Sequence, residues 1–314
     1  RFGAAPSELR RRVKKSDAVN GGLVVRLPYR PPLAWMELLE FLAPRATPGV
    51  EQVDDGVYRR SIAISGTTAI IEVSQPTGER FLRLRLEAPG DVDLINVVDR
   101  VRCLFDLDAD PLRIEEHLRR SRKLRSLINS ISGLRVPGAW DGFELAVRAI
   151  LGQQVTVRGA TTLAGRLAQA FGQPLAAPCG DVSRLFPTPE ALAVADLTRI
   201  GLTRARATTV RELAAAVVAG DLRLDGSHDL DAALQQLRKI RGIGDWTAHY
   251  IAMRALGEPD AFPAGDLGLR HALGNGSGPL SPRQADQASQ AWRPWRSYAA
   301  MHLWTHLSHH EVKQ

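Results

Sequence analysis

The chain has 314 residues, 41 Lys and Arg against 34 Asp and Glu for a net charge of +7, and 44% hydrophobic residues, a balance that predicts two or three domains of roughly 100 to 200 residues and excludes intrinsic disorder. Two cysteines far apart, Cys103 and Cys179, exclude a four-thiolate zinc site, an iron–sulfur cluster and a secreted disulfide scaffold, so a reducing, cytoplasmic home is expected. No apolar run approaches the ~18 residues of a membrane span, no signal peptide opens the chain, and a pI near 9.9 favours an anionic partner, nucleic acid first.

The chain starts at Arg1, and RFGAAPSELRRRVKK is basic with no apolar run behind it, as expected of a fragment from a longer polypeptide. From Gly21 to Asp108 short apolar strands alternate with turns: GLVVRLPY, then, after a helical stretch at Leu33–Leu42, VYRRSIAIS, TTAIIEVS and ERFLRLRLEA. In the last, Leu82, Leu84 and Leu86 alternate with Arg83 and Arg85, the period of a strand buried on one face. Asp91–Phe105 returns to helical spacing. This half is expected to be an antiparallel α+β module, and it holds no phosphate loop, nucleophile triad or metal-ligand cluster.

Beyond Pro111 the β signal fades, and amphipathic helices are expected at Phe143–Gly152, Val157–Phe171, Pro189–Asp196, Thr203–Ala219 and Asp229–Lys239, with Pro189 and Asp229 as helix-start residues. The expected division is a basic remnant at 1–20, an α+β domain at 21–108 and an all-helical region at 109–314. RRSRKLR, Arg119–Arg125, reads equally as a phosphate-binding patch or as the solvated face of a connecting helix. His302, His306 and His310 share one helical face, but no motif completes a metal site, and a solvated terminal helix is the expectation.

The most informative stretch is LRKIRGIGDWTAHYIAMRALGEPDAFPAGD, Leu237–Asp266. A helix ends at Lys239, a Gly-Ile-Gly turn follows, and a second helix starts near Asp245. Glycines 242 and 244 permit positive φ and close approach of another backbone, and the new helix offers unpaired N–H groups. Such a turn can hold a phosphate through the amides of Gly242, Gly244 and Thr247 without reading a base. Alone, G-x-G more often just joins two packed helices.

L-x-x-I-x-G-I-G-x-W-T-A, an apolar helix and an Asp twenty residues past the Trp together resemble the helix-hairpin-helix DNA glycosylase superfamily. Within it the sequence resembles 3-methyladenine DNA glycosylase II over nearly the whole chain: WMELLEFLAPRA, CLFDLDADP, ELAVRAILGQQVT, LFPTPEALA and WRPWRSYAAMHLW are all similar. The resemblance implies an N-terminal domain like one TATA-binding-protein repeat, followed by an all-α helix-hairpin-helix glycosylase region that flips damaged bases out of double-stranded DNA. It implies that Asp266 is catalytic and that Trp246, Tyr250 and Trp304 line the base pocket; Trp292, Trp295 and Tyr298 are expected mainly to pack. Members that also cut the backbone carry a lysine where this chain has Trp246, so no lyase activity is expected.

Gln154 matches the family's apolar wedge, making the gap-filling residue polar, and Gly265 replaces an acidic residue often found before the catalytic Asp. Gln153, Gln154, Gly242, Ile243, Gly244 and Thr247 form the expected DNA-contacting set. The resemblance implies no organic cofactor and no side-chain metal site, leaving room for a monovalent cation on hairpin carbonyls from about residues 238 to 243. RFGAAPSELRR also resembles the closing stretch of AraC-type helix-turn-helix regulators, implying an upstream Ada-like fusion; a basic arm is the alternative. A monomer is expected. The rival function is a damage-binding module without catalysis.

Overall fold

Five antiparallel strands organise the first part of the chain: β1 (Leu23–Pro28), β2 (Glu51–Asp54), β3 (Val57–Ile64), β4 (Thr67–Ser74) and β5 (Phe81–Glu87), in the order β1-β5-β4-β3-β2. The computed structural model describes residues 22–90, 92–226, 229–274 and 278–311. The remnant expected at 1–20 therefore lies outside the described residues. Asp55-Gly56 and Ser65-Gly66 all take positive φ, so both β2–β3 and β3–β4 close through tight two-residue turns that fix the register at Asp54↔Val57 and Ile64↔Thr67. The alternation in β5 buries Leu82, Leu84 and Leu86 and turns Arg83 outward. Strand β2 was not expected from its sequence, EQVD, which is short and polar; Asp55-Gly56 was the readable hairpin signal.

Two helices cover one face of this sheet. Helix α1 (Trp35–Leu42) buries Trp35, Leu38, Leu39 and Leu42, an i, i+3, i+4, i+7 stripe. Helix α2 (Leu94–Leu104), capped by Asp93, buries Val97, Val101 and Leu104. Together with Tyr58, Phe105 and Trp140 they form one core.

A second core is built by α3 (Pro111–Leu118), α4 (Arg122–Ser130), α5 (Gly142–Leu151), α6 (Val157–Phe171), α7 (Pro189–Val194), α8 (Arg204–Val218), α9 (Leu230–Arg238), α10 (Asp245–Ala255), α11 (Leu267–Leu273), α12 (Pro282–Ser289) and α13 (Arg296–Glu311). The start signals act as read: Pro189 occupies the first turn of α7 behind Thr188, and Asp229 caps α9 by accepting the Ala232 N–H.

This half is not wholly helical. A hairpin, β6 (Pro174–Cys179) and β7 (Val182–Arg184), turns at Gly180 and docks on the first domain, with Ser183 and Arg184 N–H groups donating to the Gly49 carbonyl. PLAAPC, with two prolines, shows no alternation; the hairpin persists because Val182, Leu175 and Leu185 pack on Ile70 of the sheet.

The domains are joined by a buried charge cluster. Arg60 of β3 pairs with Glu144 of α5 at 2.7 Å, and Arg148 of α5 pairs with Glu51 of β2 at 2.7 Å. The Tyr58 hydroxyl and the Thr47 N–H also donate to Glu51. Burial pushes the Glu51 carboxyl up, but Arg148 and Arg60 outweigh it and hold it down at about 2.

Candidate active site

Helix α9 ends at Arg238, Gly242 takes φ +92°, and α10 starts at Asp245 with Gly244 as its N-cap. Only Gly242 needs glycine for conformation. A Cβ there would lie 2.3 Å from Thr209 Oγ1, whereas Gly244 is extended, with φ −90°, and its Cβ would meet nothing within 4 Å. The other two hairpin residues present backbone rather than side chains. The Ile243 side chain is buried in the core and its N–H donates to the Ile240 carbonyl. The Thr247 side chain is buried as well, and its helix-terminal amide is the group expected to meet a phosphate.

Helix α10 places Trp246, Tyr250 and Arg254 at i, i+4 and i+8, one face. The Trp246 and Tyr250 rings stack with centroids 5.4 Å apart and planes at 11°. After α10 the chain runs through Phe262 and Pro263 to Asp266, which caps α11 through Oδ1 and the Leu269 N–H at 2.9 Å. Asp266 is half-buried. Trp304, arriving from α13, donates its indole N–H to Oδ1 at 3.0 Å, and Trp246 donates its own to Oδ2 at 3.1 Å. Three N–H donors thus fix the carboxylate, using three of its roughly four lone-pair sites. A helix N-terminus is also where a carboxylate is electrostatically favoured.

Tyr250 meets Trp304 at 6.3 Å, and Trp304 meets Phe41 of α1 at 6.5 Å, with planes at 27°. Phe41 escaped the sequence reading of the site; it lies off the buried stripe of α1 and faces the helical region. Behind it stand two guanidiniums. Arg45 lies 3.8 Å over the Phe41 ring, and Arg254 lies 5.0 Å from Phe41 while donating to the Tyr250 hydroxyl at 2.8 Å. Burial opposes ionisation of the Tyr250 phenol, but Arg254, Arg45 and Arg148 lower its pKa overall. The aromatic cluster around Asp266 is therefore backed by two cations, and the first domain supplies one of its rings.

The structure thus brings Asp266, Trp246, Tyr250 and Trp304 together. Gln154 stands exposed on the loop between α5 and α6 in a left-handed conformation, φ +56°. Gln153 is turned inward, its amide donating to the Gly242 carbonyl at 2.8 Å and to Thr247 Oγ1 at 2.9 Å, so it braces the hairpin. Gly265 is exposed, and a Cβ there would touch Trp246 only at ordinary distance. Trp292, Tyr298 and Trp295 are core or partly buried packing residues, as expected.

Other sequence features fall outside the aromatic cluster. In the 119–125 segment, Arg119 pairs with Glu115, Lys123 donates to the Leu273 carbonyl and Arg125 to the Arg119 carbonyl, which favours structural work over phosphate binding. The terminal helix is not simply solvated: His302 is buried, and burial pushes its pKa down to about 4, while exposed His309 lies 3.4 Å from Glu40. Among the described residues no group of three His, Cys, Asp or Glu could hold a metal, and no helix is long and apolar enough to cross a membrane. A broad groove of about 1140 Å³ between α6 and the β2 edge contains none of the aromatic-cluster residues.

Comparison with known proteins gives the family and the fold. Residues 24–141 match the AlkA N-terminal domain, and residues 147–296 match the HhH-GPD superfamily base excision DNA repair protein. DNA-3-methyladenine glycosylase 2 of Escherichia coli is 34% identical over 88% of this chain and 95% of its own length. The chain belongs to this glycosylase family. A probable bifunctional transcriptional activator/DNA repair enzyme AlkA of Mycobacterium tuberculosis is 41% identical over 95% of this chain, which spans 60% of that protein's length. Among solved structures, 3-methyladenine DNA-glycosylase from Archaeoglobus fulgidus matches with a TM-score of 0.76 at 25% identity, over 89% of this chain and 96% of that one. The 8-oxoguanine glycosylase/lyase of Clostridium acetobutylicum in complex with double-stranded DNA shares the fold, with a TM-score of 0.73 at 18% identity over 93% and 97% of the two chains.

Proposed function

We propose that the chain is a monofunctional DNA glycosylase that flips alkylated purines of the 3-methyladenine and 7-methylguanine type out of double-stranded DNA and hydrolyses their N-glycosidic bond. The observation that carries this reading is the Asp266 carboxylate, pinned by two indole N–H groups and a helix amide beside a cluster of aromatic rings. Bond breaking moves electrons onto the departing base and leaves oxocarbenium character on the sugar. A fixed carboxylate beside that carbon stabilises the developing positive charge and orients or deprotonates the attacking water. An N3- or N7-alkylated purine already carries the positive charge that makes it a good leaving group, so no separate general acid is needed.

A cationic base over an aromatic face gains ~0.5 to 2 kcal/mol, but Arg45 and Arg254 already occupy faces of Phe41 and Tyr250. Selectivity then rests chiefly on leaving-group lability. Trp246 stands where a lyase needs an amine, and an indole committed to Asp266 forms no Schiff base.

The hairpin carbonyls suit a hard monovalent cation: those of Ile240 and Gly242 each accept one protein hydrogen bond, and a carbonyl has two lone pairs. A bound cation would add positive charge beside a DNA phosphate. The same reading holds that the chain works as a monomer in the cytoplasm, associated with the nucleoid if bacterial, and continues an upstream Ada-like regulator.

The test is release of methylated bases from alkylated duplex DNA by wild type and Asp266→Asn, with DNA binding measured for both and borohydride added to a parallel reaction. Release by wild type alone, with binding kept and no trapped adduct, is expected. Binding without release by wild type would leave a damage-binding module, and a stable trapped adduct would restore lyase chemistry.

A further inference from the structure

We propose that Gln153 is a positioning residue that locks the wedge loop to the hairpin, so that insertion of Gln154 into DNA and the hairpin's hold on the backbone occur in one fixed register. The proposal rests on the base-flipping reading above and assigns the part of the molecule that makes the two DNA contacts act together.

The loop from Gly152 to Thr156 joins α5 to α6, and its tip is Gln154 at φ +56°. A residue with a Cβ holds that conformation only when its flanks over-determine it. Gln153 is such a flank. Both N–H groups of its amide have acceptors on the hairpin, the Gly242 carbonyl and Thr247 Oγ1. Its own carbonyl accepts from Arg206 of α8 at 2.5 Å, and its N–H donates to Ile150. On the downstream side Thr156 caps α6 through the Gly159 N–H. The loop is therefore tied to α5, α6, α8 and the hairpin, while Gln154, Val155 and Val157 remain exposed, a polar tip with apolar shoulders suited to fill the space of an extruded nucleotide.

The acceptors are chosen so that the tie leaves the hairpin's phosphate-facing amides unused. Gly242 gives up its carbonyl and Thr247 its hydroxyl. The hairpin is braced on another side by Thr209, whose hydroxyl donates to the Arg241 carbonyl at 2.9 Å. Loss of the Gln153 amide should then leave the hairpin folded and its general grip on DNA intact, while the wedge loses its register.

Gln153→Met keeps length and volume but removes the donors. The probes are an undamaged duplex and the same duplex carrying a tetrahydrofuran abasic analogue, with 2-aminopurine beside the lesion to report wedge insertion. Expected for Gln153→Met are affinity for undamaged duplex within about twofold of wild type and affinity for the abasic duplex weaker by about tenfold, the scale of two modest hydrogen bonds. The 2-aminopurine signal should fall with it, and Gln154→Ala should cost much less in the Gln153→Met background than in wild type. Thr247→Val, which leaves the bond to Gly242, should give a smaller loss in the same direction and serves if Gln153→Met does not fold. Unchanged abasic affinity in both variants, an equal loss on both duplexes, or additive effects of Gln153→Met and Gln154→Ala would overturn the proposal. Wild type that neither prefers the abasic duplex nor releases methylated bases would instead overturn the glycosylase reading.

Discussion

Replacing Trp304 by Phe removes one donor from Asp266 and leaves an aromatic ring in the aromatic cluster. In the native arrangement Oδ1 receives the Trp304 indole at 3.0 Å and the Leu269 amide at 2.9 Å, while Oδ2 receives Trp246 at 3.1 Å. A hydrogen bond to a charged group contributes about 1.5–3 kcal/mol. If that energy serves to hold the carboxylate against the sugar in the transition state, its loss lowers kcat by about 10- to 150-fold. Ring contacts with Phe41 and Tyr250 remain possible for Phe, so binding should change little. Single-turnover release of 7-methylguanine from a methylated duplex, with DNA affinity measured separately, tells these apart. Trp246→Phe should act in the same direction from the other oxygen, and the double substitution should cost less than the product of the two. A Trp304→Phe enzyme with kcat within twofold of wild type and a raised KM would refute the reasoning, because Trp304 would then be only a wall for the base.

Glu51→Gln should destabilise the protein at pH 7 by about 3 to 5 kcal/mol, the cost of leaving buried Arg148 and Arg60 without one carboxylate. The folded Glu51 carboxyl sits at about 2 against an ordinary 4.5, so its contribution is complete above pH 4.5 and is lost as pH falls through 2. The gap between denaturant melts of wild type and variant should therefore stay constant from pH 7 to about pH 4.5 and narrow from there toward pH 2, and a gap that does not narrow below pH 4.5 would count against the charge cluster. Gly242→Ala combines a left-handed backbone, costing about 1–2 kcal/mol, with a Cβ 2.3 Å from Thr209 Oγ1. It should lower both melting temperature and DNA affinity, whereas Gly244→Ala should alter stability by well under that amount; equal effects at the two positions would contradict the turn geometry.

The sequence alone determined what depends on local chemistry. Period-two leucines in β5, the helix-start residues Asp229 and Pro189, and the turn between α9 and α10 are each set by a few neighbouring residues. The motif that runs from Leu237 to Asp266 was legible through its resemblance to the helix-hairpin-helix glycosylases, since its glycines alone would read as a plain helix junction. Tertiary structure decided whatever depends on a surface supplied from far along the chain. The β6–β7 hairpin exists because Ile70 and Gly49 receive it, and its own residues show no strand pattern. Phe41 reaches the aromatic cluster only because α1 turns a second face toward the helical region. His302 reads as one of three histidines on a helix, yet burial holds it neutral. Gln153 reads as a DNA contact beside Gln154, but a side chain's direction is fixed by the acceptors within reach. Those acceptors, Gly242 and Thr247, arrive some ninety residues later in the chain. The same holds for Asp266: the resemblance names the acid, but only the tertiary arrangement of α10 and α13 on either side of it aims two indole N–H groups at its oxygens.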